Sequence, residues 1–142
     1  MAGRDPGRSK LRSLIARECT RSLMDDARWN KALVELRKCK ARFRLKLLTD
    51  PEVSPWDSLV PDSPENYIEL PKVGPVLCLE VEWLEIDPIE RRRTGRLVPD
   101  RLLDHTKSVE QTLESLRLPY SREDAFLRIW GHVRKGQDPK LV

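Results

Sequence analysis

Two histidines and three cysteines are the metal-binding and nucleophilic side chains that stand out in this chain of 142 residues. His105 and His132 are far apart, and Cys19, Cys39 and Cys78 form no C-x-x-C pair. Zinc sites use closely spaced ligand pairs, and disulfide frameworks use an even number of cysteines. The histidines could converge with an acid or with Cys78 on a metal, but their spacing does not require it. The sequence therefore predicts no metal, no cofactor and three reduced thiols, as in a cytoplasmic protein.

Three neighbouring glutamates, Glu80, Glu82 and Glu85, are the candidates for proton transfer. Paired carboxylates can divide general acid and general base work. The chain contains no phosphate-binding loop, no G-x-S-x-G and no H-E-x-x-H that would give them a partner motif. No catalytic residue is therefore assigned. The sequence favours a protein that is not an enzyme, and a small enzyme of unknown reaction is the third hypothesis.

These glutamates belong to a predicted strand whose alternation changes phase. In VLCLEVEWLEID, residues 76–87, apolar residues share one parity up to Trp83 and the other parity afterwards. Residues 41–48 form a second predicted strand, whose polar face carries Arg42, Arg44 and Lys46. Glu80 and Glu82, on the polar face of the first strand, would pair with these cations directly or through Arg128 on the last strand, and each pair would stabilise the sheet by about 0.2–1 kcal/mol. The phase change predicts a β-bulge or the end of the strand; the alternative is that a bulge turns Glu85 into a site.

The remaining periodicities predict the elements that position these side chains. The predicted helices are residues 10–23, residues 27–38 with Asp25 and Asp26 as the cap, a short helix near 99–103, and one from Thr106 capped by Thr106 or Ser108. The other predicted strands are residues 67–70, 76–86 and 124–133, and residues 50–66 form a loop.

The main elements follow the order ααβββαβ, which predicts an α+β fold with a mainly antiparallel sheet of about four strands and helices on one face. We expect a single domain over residues 10–134, in which residues 10–24 are an added basic helix. Residues 1–9 and 135–142 are predicted to be flexible.

Charge is segregated along the chain although the formal net charge is only +4. Residues 1–50 carry +8, residues 51–90 carry −9, and residues 91–142 carry +5. A phosphate-binding surface needs uncompensated cations. The cations that the predicted strand pairing leaves over give the alternative hypothesis, a nucleic-acid-binding accessory protein: Arg12, Arg17, Arg91, Arg92, Arg93 and Arg96.

Aromatic residues with charged neighbours support the leading hypothesis, a non-enzymatic protein-binding module of the immunity, inhibitor or accessory type. The predicted partner-binding residues are Trp56, Asp57, Tyr67, Arg128, Trp130 and His132. The acidic block of residues 51–90, including the loop 51–66, would steer a basic partner, such as a nuclease-like toxin. No apolar run approaches the roughly 18 residues of a membrane span, and no secretory signal is present, so we expect a cytoplasmic location without membrane contact. The oligomeric state stays open.

Two segments, YIEL with LEVEWLEIDP and LLDHTKSVEQTLESLRLPYSREDAFLRIWGHVRKG, resemble a family of small bacterial proteins catalogued as a domain of unknown function. The family's pattern is an E-W-L-E-I strand, a helix, an I-P-Y-like turn and a closing strand. Its counterparts here are residues 82–86, 118–120 and 127–132. The resemblance spans about residues 27–134 and leaves the first helix outside. It implies a bacterial, cytoplasmic α+β domain with no assigned catalytic residue.

Overall fold

Three helices and ten short strands make up the protein in the computed structural model, which describes residues 6–142. The helices are α1 (Pro6–Glu18), α2 (Asp26–Leu36) and α3 (Thr106–Ser115), and a short 3-10 helix covers Cys78–Glu80. The strands are β1 (Cys19–Ser22), β2 (Arg42–Leu47), β3 (Tyr67–Leu70), β4 (Gly74–Leu77), β5 (Val81–Asp87), β6 (Ile89–Arg92), β7 (Arg101–Asp104), β8 (Tyr120–Glu123), β9 (Phe126–Trp130) and β10 (His132–Arg134).

The central sheet is antiparallel and has the strand order β2-β5-β9-β8. Its apolar face pairs Phe43 with Ile86 and Leu45 with Leu84, and all four side chains are buried in the main core. Residues of α2 and α3 belong to the same core, so these two helices cover this face. The predicted α+β class with a four-stranded antiparallel sheet is confirmed.

Helix α2 begins at the predicted cap. The Asp25 carboxylate accepts a hydrogen bond from the backbone N–H of Arg28 at 2.8 Å, which satisfies a donor that the first turn leaves free. The buried residues of α2 are those of the predicted apolar face: Trp29, Ala32, Leu33 and Leu36. The spacing of three and four residues therefore identified the packed face correctly.

Helix α3 begins at Thr106 as predicted, but its cap differs. Asp104 accepts hydrogen bonds from the backbone N–H of Thr106 at 2.9 Å and from its hydroxyl at 2.5 Å. The predicted caps, Thr106 and Ser108, both lie inside the helix. Asp104 can accept these hydrogen bonds at the start of α3 because its carboxylate reaches the residue two positions further along the chain.

The phase change in the sequence is a β-bulge, as predicted. Lys46 pairs with Trp83 and Leu47 pairs with Val81, so Glu82 is an extra residue on β5. The predicted strand over residues 76–86 is also interrupted by the 3-10 helix. Its first residues belong to β4, which pairs with β3 in a separate hairpin.

The short helix predicted near residues 99–103 is wrong, because this segment forms β7. It pairs with β6 in a hairpin that places Ile89 opposite Asp104 and Arg92 opposite Arg101. The side chains between these strands are solvent-exposed. Burial therefore imposes no periodicity on them, and the sequence pattern could not distinguish a helix from a strand.

Residues 6–9 and 135–142, which the sequence predicted to be flexible, form defined backbone contacts in the structure. Residues 6–9 begin α1, which ends at Glu18 instead of continuing to residue 23; residues 1–5 lie outside the described residues. At the other end, the Val142 N–H donates to the Tyr120 carbonyl at 2.8 Å beside a bridge between Leu141 and Ser121. None of the described helices is long and apolar enough to cross a membrane.

Candidate functional site

Glu85 lies on the polar face of the central sheet between two arginines. It is opposite Arg44 on β2 and Arg128 on β9. One carboxylate oxygen accepts from Arg44 at 2.7 Å, the other accepts from Arg128 at 2.7 Å, and the residue is 1% exposed. Glu80 does not follow the predicted pairing with cations and accepts a hydrogen bond from the Thr49 hydroxyl at 2.8 Å. Glu85 therefore joins three strands and offers no exposed carboxylate.

Two further buried carboxylates on β5 are also paired with cations. Glu82, at the bulge, accepts from Arg134 at 2.6 Å and from Lys46 at 3.2 Å. Asp87 pairs with Arg42. The carboxylates of β5 are thus neutralised inside the chain and contribute little to the field that a partner would meet, whereas Glu52, Asp62 and Glu65 of loop 51–66 are exposed.

The aromatic residues of this face are packed beneath Arg128. Its guanidinium carbon lies 4.1 Å from the Trp83 ring centre and 5.1 Å from the Trp130 ring centre. The Trp130 indole N–H donates to the Ser121 hydroxyl at 2.8 Å, and both tryptophans are buried. Trp130 is therefore not the exposed anchor that the sequence predicted.

Trp56 is half-buried against the same face. Its ring lies 4.3 Å from the Arg44 guanidinium carbon and 4.8 Å from the Phe126 ring. The next residue, Asp57, exchanges backbone hydrogen bonds of 2.7 and 2.8 Å with Phe43 on β2. The loop is therefore attached to the edge of the central sheet, and Trp56 folds back over it.

The predicted partner-binding set does not form one accessible surface. Trp56, Arg128 and Trp130 share a face but pack within it, Tyr67 lies half-buried on β3, and His132 is buried on β10. Across residues 6–142, every buried side-chain nitrogen or oxygen has a hydrogen-bond partner. The buried polar groups of this face are therefore satisfied within the described chain and do not indicate a ligand.

The segment from Ile89 to Asp104, here called the arm, is the most accessible element of the described chain. Every residue from Arg91 to Leu102 is exposed. Its exposed apolar side chains are Leu97 at 98%, Val98 at 58% and Leu102 at 57%. The sequence did not predict these three residues, because no apolar periodicity in residues 89–104 marks them.

The base of the arm is fixed by Glu90, whereas most arginines of the arm form no ion pair within residues 6–142. Glu90 accepts from Nε2 of His105 at 2.8 Å and from Arg92 at 3.0 Å, and these hydrogen bonds lower the pKa of Glu90. The groove of about 310 Å³ beside it is lined by Lys40, Ala41, Arg42, Ile89, Glu90 and Arg91. Within residues 6–142, the arginines of the arm that form no ion pair are Arg91, Arg93, Arg96 and Arg101.

The other two arginines of the predicted nucleic-acid set lie on α1. Arg12 and Arg17 are both exposed, and Arg12 lines a cleft of about 550 Å³ that also contains His132. The four predicted arginines of residues 91–96 are brought together on the arm, and the two on α1 belong to a different element.

The thiols and histidines do not assemble into a metal centre. Between residues 6 and 142, no group of three His, Cys, Asp or Glu side chains could hold a metal ion. The cysteines are free, and burial raises the pKa of the Cys78 thiol to about 12. A protonated, buried thiol is a poor nucleophile.

His132 is buried and hydrogen-bonded on both ring nitrogens. Nε2 lies 2.8 Å from the Leu79 carbonyl oxygen, and Nδ1 lies 2.8 Å from the Ser22 hydroxyl. A carbonyl only accepts, so Nε2 carries the hydrogen and Nδ1 accepts from Ser22. Burial lowers the pKa of His132 below its ordinary value of 6.5, with Glu82 opposing and Arg134 reinforcing the shift.

Acidification is therefore expected to destabilise the protein through His132. Below pH 6.5 the unfolded imidazole binds a proton that the folded one resists. The stability that the neutral, buried His132 contributes is therefore complete above pH 6.5 and is lost as the pH falls through the lowered pKa. Urea unfolding between pH 7.5 and 5.5 should show a falling free energy of unfolding. In His132→Gln the fall should be smaller, and an equal fall in both proteins would contradict the assignment.

Comparison with known proteins gives one match. A family model described as "Family of unknown function (DUF6678)" matches residues 11–136. Recognition of a domain of unknown function is thereby confirmed, but the match includes most of α1, which the resemblance left outside. No curated protein and no solved structure matches the chain.

Proposed function

Since the chain belongs to the Family of unknown function (DUF6678), we propose from its own geometry that it is a protein-binding module whose docking element is the arm. The observation that carries the proposal is the exposure of every residue from Arg91 to Leu102, apolar side chains included. An immunity or inhibitor role, as expected from the sequence, is one form of such a module.

The apolar residues of the arm favour a partner that buries them. Leu97, Val98 and Leu102 lie within one hairpin, and grouped exposed apolar side chains mark interaction sites more often than isolated ones do. Complete burial of one such side chain is worth about 1.5–3 kcal/mol before the costs of association. A partner with an apolar pocket would therefore gain affinity from these residues directly.

The charged residues of the arm favour an acidic partner. Residues 91–102 contain five arginines, one aspartate and no lysine, a net charge of +4. Arginine is enriched and lysine depleted in protein interfaces, because the planar guanidinium forms paired hydrogen bonds and loses its hydration more readily. This proposal reverses the sign of the partner expected from the sequence, because it places docking on the basic arm and not on the acidic loop, where Glu52, Asp62 and Glu65 are exposed.

A nucleic acid is the second candidate partner. It is favoured by Arg91, Arg93 and Arg96, which are exposed and unpaired within residues 6–142, and by the neighbouring Lys40. Phosphate binding by these cations would weaken steeply with salt because it depends on counterion release.

Capture from the native host, with and without nuclease and at low and high salt, distinguishes these candidates. The bait proteins are the wild type, an arm variant carrying Arg93→Glu and Arg96→Glu, and a control carrying Arg17→Glu and Arg21→Glu. The control changes the net charge by the same amount as the arm variant, but its two substitutions lie outside the arm. We expect one acidic protein to be retained through nuclease and salt by the wild type and the control, and to be lost with the arm variant.

Two other results would overturn the proposal. Retained nucleic acid that washes off with salt, and that the arm variant weakens, would favour the second candidate. If the arm variant retained the same protein as the wild type, the arm would not be the docking element.

A further inference from the structure

We propose that Ser22 and His132 form a nucleophilic centre that accepts the acyl group of a small ester bound in the cleft of about 550 Å³. The residues that line this cleft all lie outside the arm. The inference is therefore independent of the protein-binding function proposed above.

The hydrogen bonds around His132 give the orientation of a general base. The Leu79 carbonyl fixes the hydrogen on Nε2, and the unprotonated Nδ1 faces the Ser22 hydroxyl at 2.8 Å. A nucleophile beside a base, with the base oriented by a third group, is the arrangement that activates serine. Here the orienting group is a backbone carbonyl, where serine hydrolases commonly use a carboxylate.

The accessibility of the two residues suits these roles. Ser22 is exposed at the end of β1, so a substrate can reach its hydroxyl, while His132 is buried behind it. Burial lowers the pKa of His132, so the imidazole is neutral at neutral pH and its Nδ1 lone pair faces the Ser22 hydroxyl.

The walls of the cleft suit an acyl chain. Its apolar lining comes from Ile15, Met24, Trp29 and Leu79. Helix α2 begins at the edge of the cleft, and the N–H groups of a first helical turn lack acceptors within the helix. Those of Arg28 and Trp29 already donate to Asp25. The N–H groups of Asp26 and Ala27, which line the cleft, would therefore stabilise negative charge on an acyl oxygen.

The acidic side chains at the edge of the cleft are already engaged. Asp25 caps α2 through the Arg28 N–H, and Asp26 pairs with Arg8 at 3.5 Å. These contacts reduce the repulsion that an oxyanion forming near the start of α2 would otherwise meet.

The reaction would proceed in two balanced steps. Ser22 Oγ attacks the ester carbonyl carbon while its proton moves to His132 Nδ1. The carbon–oxygen bond to the alcohol then breaks, and the leaving alkoxide takes this proton. Water attacks the acyl-serine, gives a proton to Nδ1 and releases the carboxylic acid as Ser22 recovers its proton.

A fluorophosphonate probe tests the nucleophile without knowledge of the natural ester. Ser22 would form a phosphorus–oxygen bond, fluoride would leave, and the serine proton would pass to His132. Intact mass and peptide mapping of the full chain should show one adduct, at Ser22. Ser22→Ala should lower the labelling rate at least 100-fold, whereas Ser13→Ala, at an exposed serine of α1, should leave it unchanged.

The pH dependence of labelling separates activation from simple exposure. The wild-type rate should fall as His132 protonates, with a midpoint below pH 6.5. His132→Gln, if circular dichroism shows it folded, should lose at least 100-fold in rate. Labelling that is no faster than in Ser22→Ala, or a rate independent of His132 protonation, would overturn the proposal. Arm variants should label like the wild type.

Discussion

Gly131→Ala is expected to lower the free energy of unfolding by about 3 kcal/mol, the upper end of the usual range for overpacked interiors. A Cβ atom at this position would lie 2.3 Å from the Val81 carbonyl oxygen and 3.3 Å from that of Glu82. Both are backbone atoms at the bulge of β5, so neither can move aside as a flexible side chain would. The Gly131 N–H also donates to the Glu82 carbonyl at 2.8 Å, and separating the strands would break that bond.

Gly95→Ala is the matched control for this substitution. Its Cβ would meet only the Val98 side chain, at 3.6 Å, which is an ordinary van der Waals contact. Urea denaturation followed by circular dichroism should give a midpoint near that of the wild type for Gly95→Ala and a much lower one for Gly131→Ala. Similar midpoints for both variants would contradict the close approach at the bulge.

Glu85→Ala should also cost about 3 kcal/mol, because it removes the anion between Arg44 and Arg128. Breaking a buried ion pair on one side costs about 3–5 kcal/mol. The lower end applies here because the arginine side chains are 29% and 21% exposed, so water can solvate part of the charge left behind.

Glu35→Ala is the control for Glu85→Ala, since Glu35 pairs with Lys38 on the surface of α2. Exposed ion pairs contribute little to the free energy of unfolding. In chemical denaturation Glu35→Ala should resemble the wild type, and Glu85→Gln, which keeps the shape but not the charge, should lie between the wild type and Glu85→Ala. A cost for Glu85→Ala as small as that for Glu35→Ala would show that the ion pairs do not hold the three strands.

The sequence predicted best the features that depend on local periodicity and charge. The apolar face of α2 and the bulge on β5 followed from residue spacing alone. The pairing of Lys46 with Glu82 followed from charges on opposite strands, whereas the predicted pairing of Glu80 was wrong and the position of Glu85 between two arginines was not predicted. Each of these features is set by neighbours along one or two strands, or within one helix.

The candidate sites were harder to predict because they depend on tertiary placement. Ser22 and His132 are 110 residues apart and meet only because β1 pairs with β10. The sequence predicted Trp130 as a partner anchor because it alternates with the apolar residues of its strand and so falls on the polar face. In the structure Arg128 lies over its ring, and its indole N–H donates to the Ser121 hydroxyl. The arm shows the converse case: its apolar residues follow no burial pattern because the rest of the described chain leaves them exposed.

The central claim, docking of a protein by the arm, is tested most directly by titrating the captured partner against Val98→Ser and Val34→Ser. The two valines are exposed to similar extents, 58% and 53%, but Val34 lies on α2. We predict a dissociation constant roughly 10-fold higher for Val98→Ser, which corresponds to about 1.4 kcal/mol, and an unchanged one for Val34→Ser. Equal affinities for the two variants, with both proteins folded, would contradict the account.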